Sequence, residues 1–112
     1  MPHSLTEKIS MVYVTTKDVA QAETIAAVLL DEKLVVCANI IPGVISYFRW
    51  EGRIDRSSEA IMILKIRQGL FPAVEERIRK LHSYEIPCIV SYDADAVSGP
   101  FKAWVMAESL PK

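Results

Sequence analysis

Residues Leu34–Ile66 read LVVCANIIPGVISYFRWEGRIDRSSEAIMILKI, two β-branched, apolar arms joined at Glu51-Gly52. Val, Ile, Tyr, Phe and Trp suit a pleated, half-buried surface, and Glu-Gly is a turn signal, so the stretch predicts a hairpin. Pro42-Gly43 interrupts the first arm. Proline cannot donate to a strand ladder and is confined to edges and bulges, so Leu34–Trp50 reads as one long, bent edge strand. Arg53–Ile66 is its partner and ends in the aliphatic run AIMILKI. Arms of about thirteen to seventeen residues far exceed the usual five or six. They must overhang a small domain and leave Tyr47, Phe48 and Trp50 near a tip that their own chain cannot cover. Long exposed edges associate unless a partner pairs with them, so the stretch predicts an oligomer with these three aromatics at its interface.

Outward from the hairpin the pattern alternates. Ile9–Thr16 (ISMVYVTT) reads as a buried strand. Asp18-x-x-Gln21 is a capping box, and Ala22, Ile25, Ala26, Leu29 and Leu30 recur at helical spacing, predicting a helix over 18–33. After the hairpin, Gln68-Gly69 breaks the chain and Pro72 sits in a first helical turn, where its missing amide costs least. Leu70, Val74, Ile78 and Leu81 share one face of a helix running to about His82, with Arg77, Arg79 and Lys80 in its last turn. Glu85–Tyr92 reads as a short strand, 93–100 as a polar loop, and Phe101–Leu110 as a terminal helix seated by Trp104. The order β-α-β-β-α-β plus a helix is the ferredoxin-like, α+β sandwich: one antiparallel sheet with two helices on one face. It makes 1–112 a single domain in which 1–8 is expected to be flexible.

The 112 residues carry thirteen Lys+Arg against fourteen Asp+Glu, a net charge of −1, with 51% hydrophobic and 24% charged residues. That balance argues against disorder and against a phosphate-tracking surface, so no nucleic-acid partner is expected. No apolar run approaches the roughly eighteen residues of a spanning helix, and no membrane association is expected. The two cysteines, Cys37 and Cys88, are too few for a disulfide scaffold. With no secretory signal visible, the cytoplasm is the expected compartment.

The chain has no nucleophile elbow, P-loop, dinucleotide fingerprint or HExxH. Asp93-x-Asp95 lacks the later ligands of a calcium loop. The aliphatic run at 60–66 lacks the aromatics on which RNA-recognition sheets stack bases. The tightest cluster is His82, Tyr84, Glu85 and Cys88. Imidazole and thiolate suit copper or zinc, and the Glu85 carboxylate could add a ligand. The competing reading gives His82 to the helix C-terminus and Cys88 to the core.

Cys37-Ala38-Asn39-Ile40-Ile41-Pro42-Gly43, then Ser46 to Ile54 (SYFRWEGRI), Glu59, Met62-Ile63-Leu64-Lys65 and His82-Ser83-Tyr84-Glu85-Ile86-Pro87 together resemble the CutA divalent-cation tolerance family. The match runs from Val14 to about Trp104. The resemblance implies a tight homotrimer similar in architecture to PII signalling proteins. It also implies association with copper and other divalent metal ions, and no enzymatic reaction. It places His82 among the metal ligands, Cys88 and Glu85 of the same cluster being further candidates by their own chemistry, and lines an intersubunit cleft with His82, Tyr84, Glu85 and Lys65. This chain departs from the family pattern at Cys88, where glutamate is usual, and at Val14, where some relatives carry cysteine. It also has Ile66, Ser83 and Phe101 where threonine, proline and tyrosine are usual. Cys88 would shift a metal site toward softer ions. An alternative reading is an enzyme or small-molecule sensor working in that cleft. Lys65 and Arg53 would then grip an anionic ligand, and His82 would serve as acid or base.

Overall fold

A computed structural model describes residues 6–111. Its elements are β1 (Ile9–Thr16), α1 (Val19–Asp31), β2 (Cys37–Trp50), β3 (Arg53–Arg67), a 3-10 turn (Gln68–Leu70), α2 (Phe71–Leu81), β4 (Ile89–Asp93) and α3 (Gly99–Glu108). The four strands form one antiparallel sheet in the order β2-β3-β1-β4, the ferredoxin-like arrangement. Val12, Val14, Met62, Leu64 and Ile66 point to one face and are buried beneath Ala22, Ile25, Leu29, Val74 and Ile78 of α1 and α2. The opposite face carries neither α1 nor α2; α3 lies beside β3, with Val105 buried outside that core, and the chain just past it meets the buried Arg67 of that face through the Leu110 carbonyl.

The capping box forms as read. Asp18 accepts from the Gln21 amide at 2.8 Å, and the Gln21 side chain accepts in return from the Lys17 amide. Pro72 lies in the first turn of α2. β2 is an edge strand, and its register against β3 shifts between Ile41 and Val44. Ile41 pairs with Ile61 and Val44 with Glu59, so Pro42 and Gly43 together oppose one residue, a bulge in which Gly43 takes φ +72°. Side chains alternate faces along a strand, so the extra residue inverts the alternation. Cys37, Asn39 and Ile41 share the face opposite α1 and α2 before the bulge; Val44, Ser46, Phe48 and Trp50 share it afterwards. Tyr47 lands on the other face, which divides the three aromatics expected to act together.

The hairpin closes through Glu51 (φ +50°) and Gly52 (φ +80°), a two-residue turn with both φ positive that matches the strand twist. The molecule measures 49 × 26 × 22 Å. Its radius of gyration is 14.9 Å, against about 13 Å for a compact chain of this length. The hairpin therefore projects beyond the core. Near its tip Tyr47, Ile54, Phe48 and Trp50 are exposed, Tyr47 by 69%.

Three boundaries differ from the sequence reading. β2 starts at Cys37 instead of Leu34, because Leu34 and Val35 donate their amides back to Leu29 at the end of α1. β4 starts at Ile89 instead of Glu85. α3 starts at Gly99 because Ser98 caps it and Pro100 occupies its first turn. Trp104 does not seat this helix: it is 44% exposed, and the buried side of α3 is Val105.

Of the segment 1–8 expected to be flexible, residues 1–5 lie outside the described residues. Glu7 is held. Its carboxylate accepts from Arg67 at 3.0 Å and from the Gly69 amide at 2.7 Å. Arg67 is fully buried and also donates to the Leu110 carbonyl, at 2.8 Å and 3.3 Å, clasping the two ends of the described chain.

Candidate functional site

The sheet face opposite α1 and α2 carries a cleft of about 880 Å³. Its floor comes from Tyr13 and Thr15 of β1 and Glu59 of β3. One wall is the hairpin, with Ser46, Phe48, Arg49, Trp50, Asp55 and Ser57; the other is the loop bearing Ser83, Tyr84, Glu85, Ile86 and Cys88. The bulge at Pro42-Gly43 is what aims Phe48 and Trp50 into this space.

The loop is held by two side chains. His82 is nearly buried at the C-cap of α2. Its Nε2 lies 2.8 Å from the Thr15 carbonyl, and its Nδ1 accepts from the Tyr84 amide at 3.1 Å. The carbonyl requires Nε2 to carry hydrogen, so His82 is the neutral Nε2–H tautomer with both ring nitrogens in use. The last residue of β1 paired to β4 is Val14, opposite Ile89. His82 thus serves the carbonyl just past the point where β4 stops pairing.

Tyr84 reaches over the sheet and donates a 2.6 Å hydrogen bond to Glu59. Glu59 lies one residue beyond the last β1–β3 pair, Thr16 with Ala60. Burial, then the hydrogen bond to Glu59, pushes the Tyr84 phenol far above its ordinary range, so it remains a donor. Burial, reinforced by the Glu59 charge, also raises the Cys88 thiol, which is held protonated.

The sequence-predicted ligands are therefore only partly assembled. Glu85 and Cys88 line the cleft, whereas His82 spends its nitrogens on Thr15 and Tyr84. Among the described residues no three His, Cys, Asp or Glu side chains converge to hold a metal ion. Lys65 and Arg53, expected to grip an anion, are not in the cleft lining. Lys65 donates to Asn39 and stands 3.7 Å from the Cys37 sulfur, its cross-strand neighbour. Arg53 pairs with Trp50 next to the hairpin turn. Glu59 is a site residue to which the sequence pattern assigns no role. A carboxylate in the apolar run of a central strand was the available signal, since such a group needs a partner when buried.

The sequence of residues 10–108 matches the profile of the CutA1 divalent ion tolerance protein family. The chain belongs to this family. The divalent-cation tolerance protein CutA of Pyrococcus horikoshii is 37% identical over 99 residues, covering 88% of this chain and 96% of that protein. Protein CutA of Mus musculus is 31% identical over 97 residues, but this chain spans only 55% of its length. The structure of the periplasmic divalent cation tolerance protein CutA from Archaeoglobus fulgidus superposes with a TM-score of 0.87 at 35% identity, covering 89% of this chain and 97% of that one. The CutA fold is thus common to both, with its four-stranded antiparallel sheet. No helix among the described residues is long and apolar enough to cross a membrane.

Proposed function

We propose that this CutA-family chain is the subunit of a homotrimeric, non-enzymatic scaffold serving divalent metal tolerance, with copper among the ions it meets. One observation carries the reading: the hairpin and the sheet face opposite α1 and α2 present Met11, Ile41, Phe48, Trp50, Val90 and Tyr92 to solvent in a single chain. Exposed apolar surface of that extent beside a long edge strand marks an association surface. The trimer number comes from the family resemblance and its PII-like architecture.

The metal contact is assigned to Cys88 and Glu85 on the loop wall of the cleft, a neighbouring subunit supplying the remaining ligands. His82 positions this loop. A thiol favours Cu(I) or zinc over magnesium or calcium. The unpaired thiols of Cys37 and Cys88 suit a reducing compartment such as the cytoplasm. Titration of the assembled protein with Cu(I) under reducing conditions tests the metal reading. Cys88→Ser and Glu85→Gln should each weaken binding, and affinity equal to wild type in both variants would remove the site.

A further inference from the structure

We propose that the hairpin of a neighbouring subunit delivers its Arg53 to the Glu59 carboxylate, so that the floor of the cleft is completed by a second copy of this chain. The inference rests on the trimer reading and names the charged contact that closes the ring.

Glu59 needs a partner that its own chain does not supply. It is 9% exposed in a single chain, and assembly can only bury it further. Tyr84 donates to one of its oxygens, and the other has no hydrogen-bond or ion-pair partner among the described residues. A buried carboxylate served on one oxygen alone is costly until a cation reaches it. Tyr84 remains protonated, so it orients the carboxylate and leaves the charge to be neutralised from elsewhere.

Arg53 lacks a partner in the same way. It makes no hydrogen bond or ion pair among the described residues, not even with Asp55, two positions along on the same face. It stands across the ladder from Trp50, beside the turn at the far end of the projecting hairpin. Successive residues of a strand alternate faces, so Arg53 shares a face with Trp50, Phe48 and Glu59, whereas Arg56 lies on the other. The surface that carries Phe48 and Trp50 against a neighbour therefore carries Arg53 with them.

The pair cannot form within one chain. Arg53 and Glu59 are six positions apart on β3, about 20 Å of extended strand. Across subunits they become the two halves of one head-to-tail contact, hairpin tip to hairpin base. Repeated around a threefold axis, that contact closes a ring in which every Arg53 and every Glu59 is paired. Guanidinium suits the place because its planar fork of donors matches a carboxylate and is more weakly hydrated than an ammonium. The pairing uses Glu59 on the floor and leaves Glu85 and Cys88 on the loop wall to the metal contact.

Subunit exchange between isotope-labelled and unlabelled trimers, followed by native mass spectrometry, tests the pairing on the full chain. Arg53→Gln and Glu59→Gln should each exchange about tenfold faster than wild type, and the double variant no faster than the faster single. Glu59→Asp, which keeps the charge but draws it back, takes its place in the cycle if the Gln variant does not fold. Arg56→Gln, on the other face of the same hairpin, should exchange as wild type does. Effects that multiply in the double variant, or an equal acceleration by Arg56→Gln, would overturn the contact while leaving the trimer standing. A monomeric wild type, read from the light-scattering mass of the same samples, would overturn the trimer and the contact together.

Discussion

The Tyr84 hydroxyl donates to the Glu59 carboxylate across 2.6 Å, tying the loop before β4 to β3, two strands away in the sheet. The bond fixes the cleft's width, and the Glu59 charge is felt by both Tyr84 and Cys88.

Cys88 reactivity reports that charge. Its thiol is raised first by burial and then by Glu59, so removing the charge must lower it and increase the thiolate fraction. Iodoacetamide at about pH 8 should modify Cys88 slowly in wild type and faster in Glu59→Gln. A rate that is unchanged or slower would place Glu59 out of electrostatic reach.

His82→Ala should destabilise the fold by about 1–3 kcal/mol, because it strands the Thr15 carbonyl and the Tyr84 amide. Urea unfolding gives the figure. In Cu(I) titrations the folded variant should bind as wild type does; a specific loss of affinity without a loss of stability would return His82 to the ligands.

Much of this site was hidden in the sequence for reasons of geometry. The long hairpin, the edge proline, the Asp18 cap and Pro72 in its first turn were legible because each follows from a local rule. Face assignment was not: Pro42-Gly43 announced a bulge, but only its register shows that Phe48 and Trp50 point with Glu59 while Tyr47 points away. The start of β4 was misread because Ile86-Pro87-Cys88 is apolar enough for a strand, whereas His82 already occupies the carbonyl that follows the last β1–β4 pair. The contacts of Lys65 with Asn39 and Cys37 were illegible too, because cross-strand neighbours are invisible without the register.

Arg67→Met should cost about 3–5 kcal/mol, since it leaves the partly buried Glu7 carboxylate and the Leu110 carbonyl without the guanidinium that joins them. Guanidinium chloride unfolding measures it. A change within error would mean that the two ends of the described chain are held by other contacts.

Glu32 and Arg77 form a two-pronged pair between α1 and α2, with N–O distances of 2.9–3.1 Å. The hydrogen bonds from Arg77 hold the Glu32 carboxyl below its ordinary value of 4.5. A depressed carboxyl stabilises the fold above its unfolded value, and that contribution is lost as pH falls through the folded one. The stability gap between wild type and Glu32→Gln should therefore be full at neutral pH and close below pH 4.5. Urea midpoints across that range check it; a gap that widens in acid would contradict the pairing.

Light scattering after size exclusion, at micromolar concentration, reads the assembly itself. Wild type should run as a single species of about three times the chain mass of 12.6 kDa, and that species should be partly lost in Trp50→Ala but not in Trp104→Ala. A stable monomer of 12.6 kDa in wild type would contradict it.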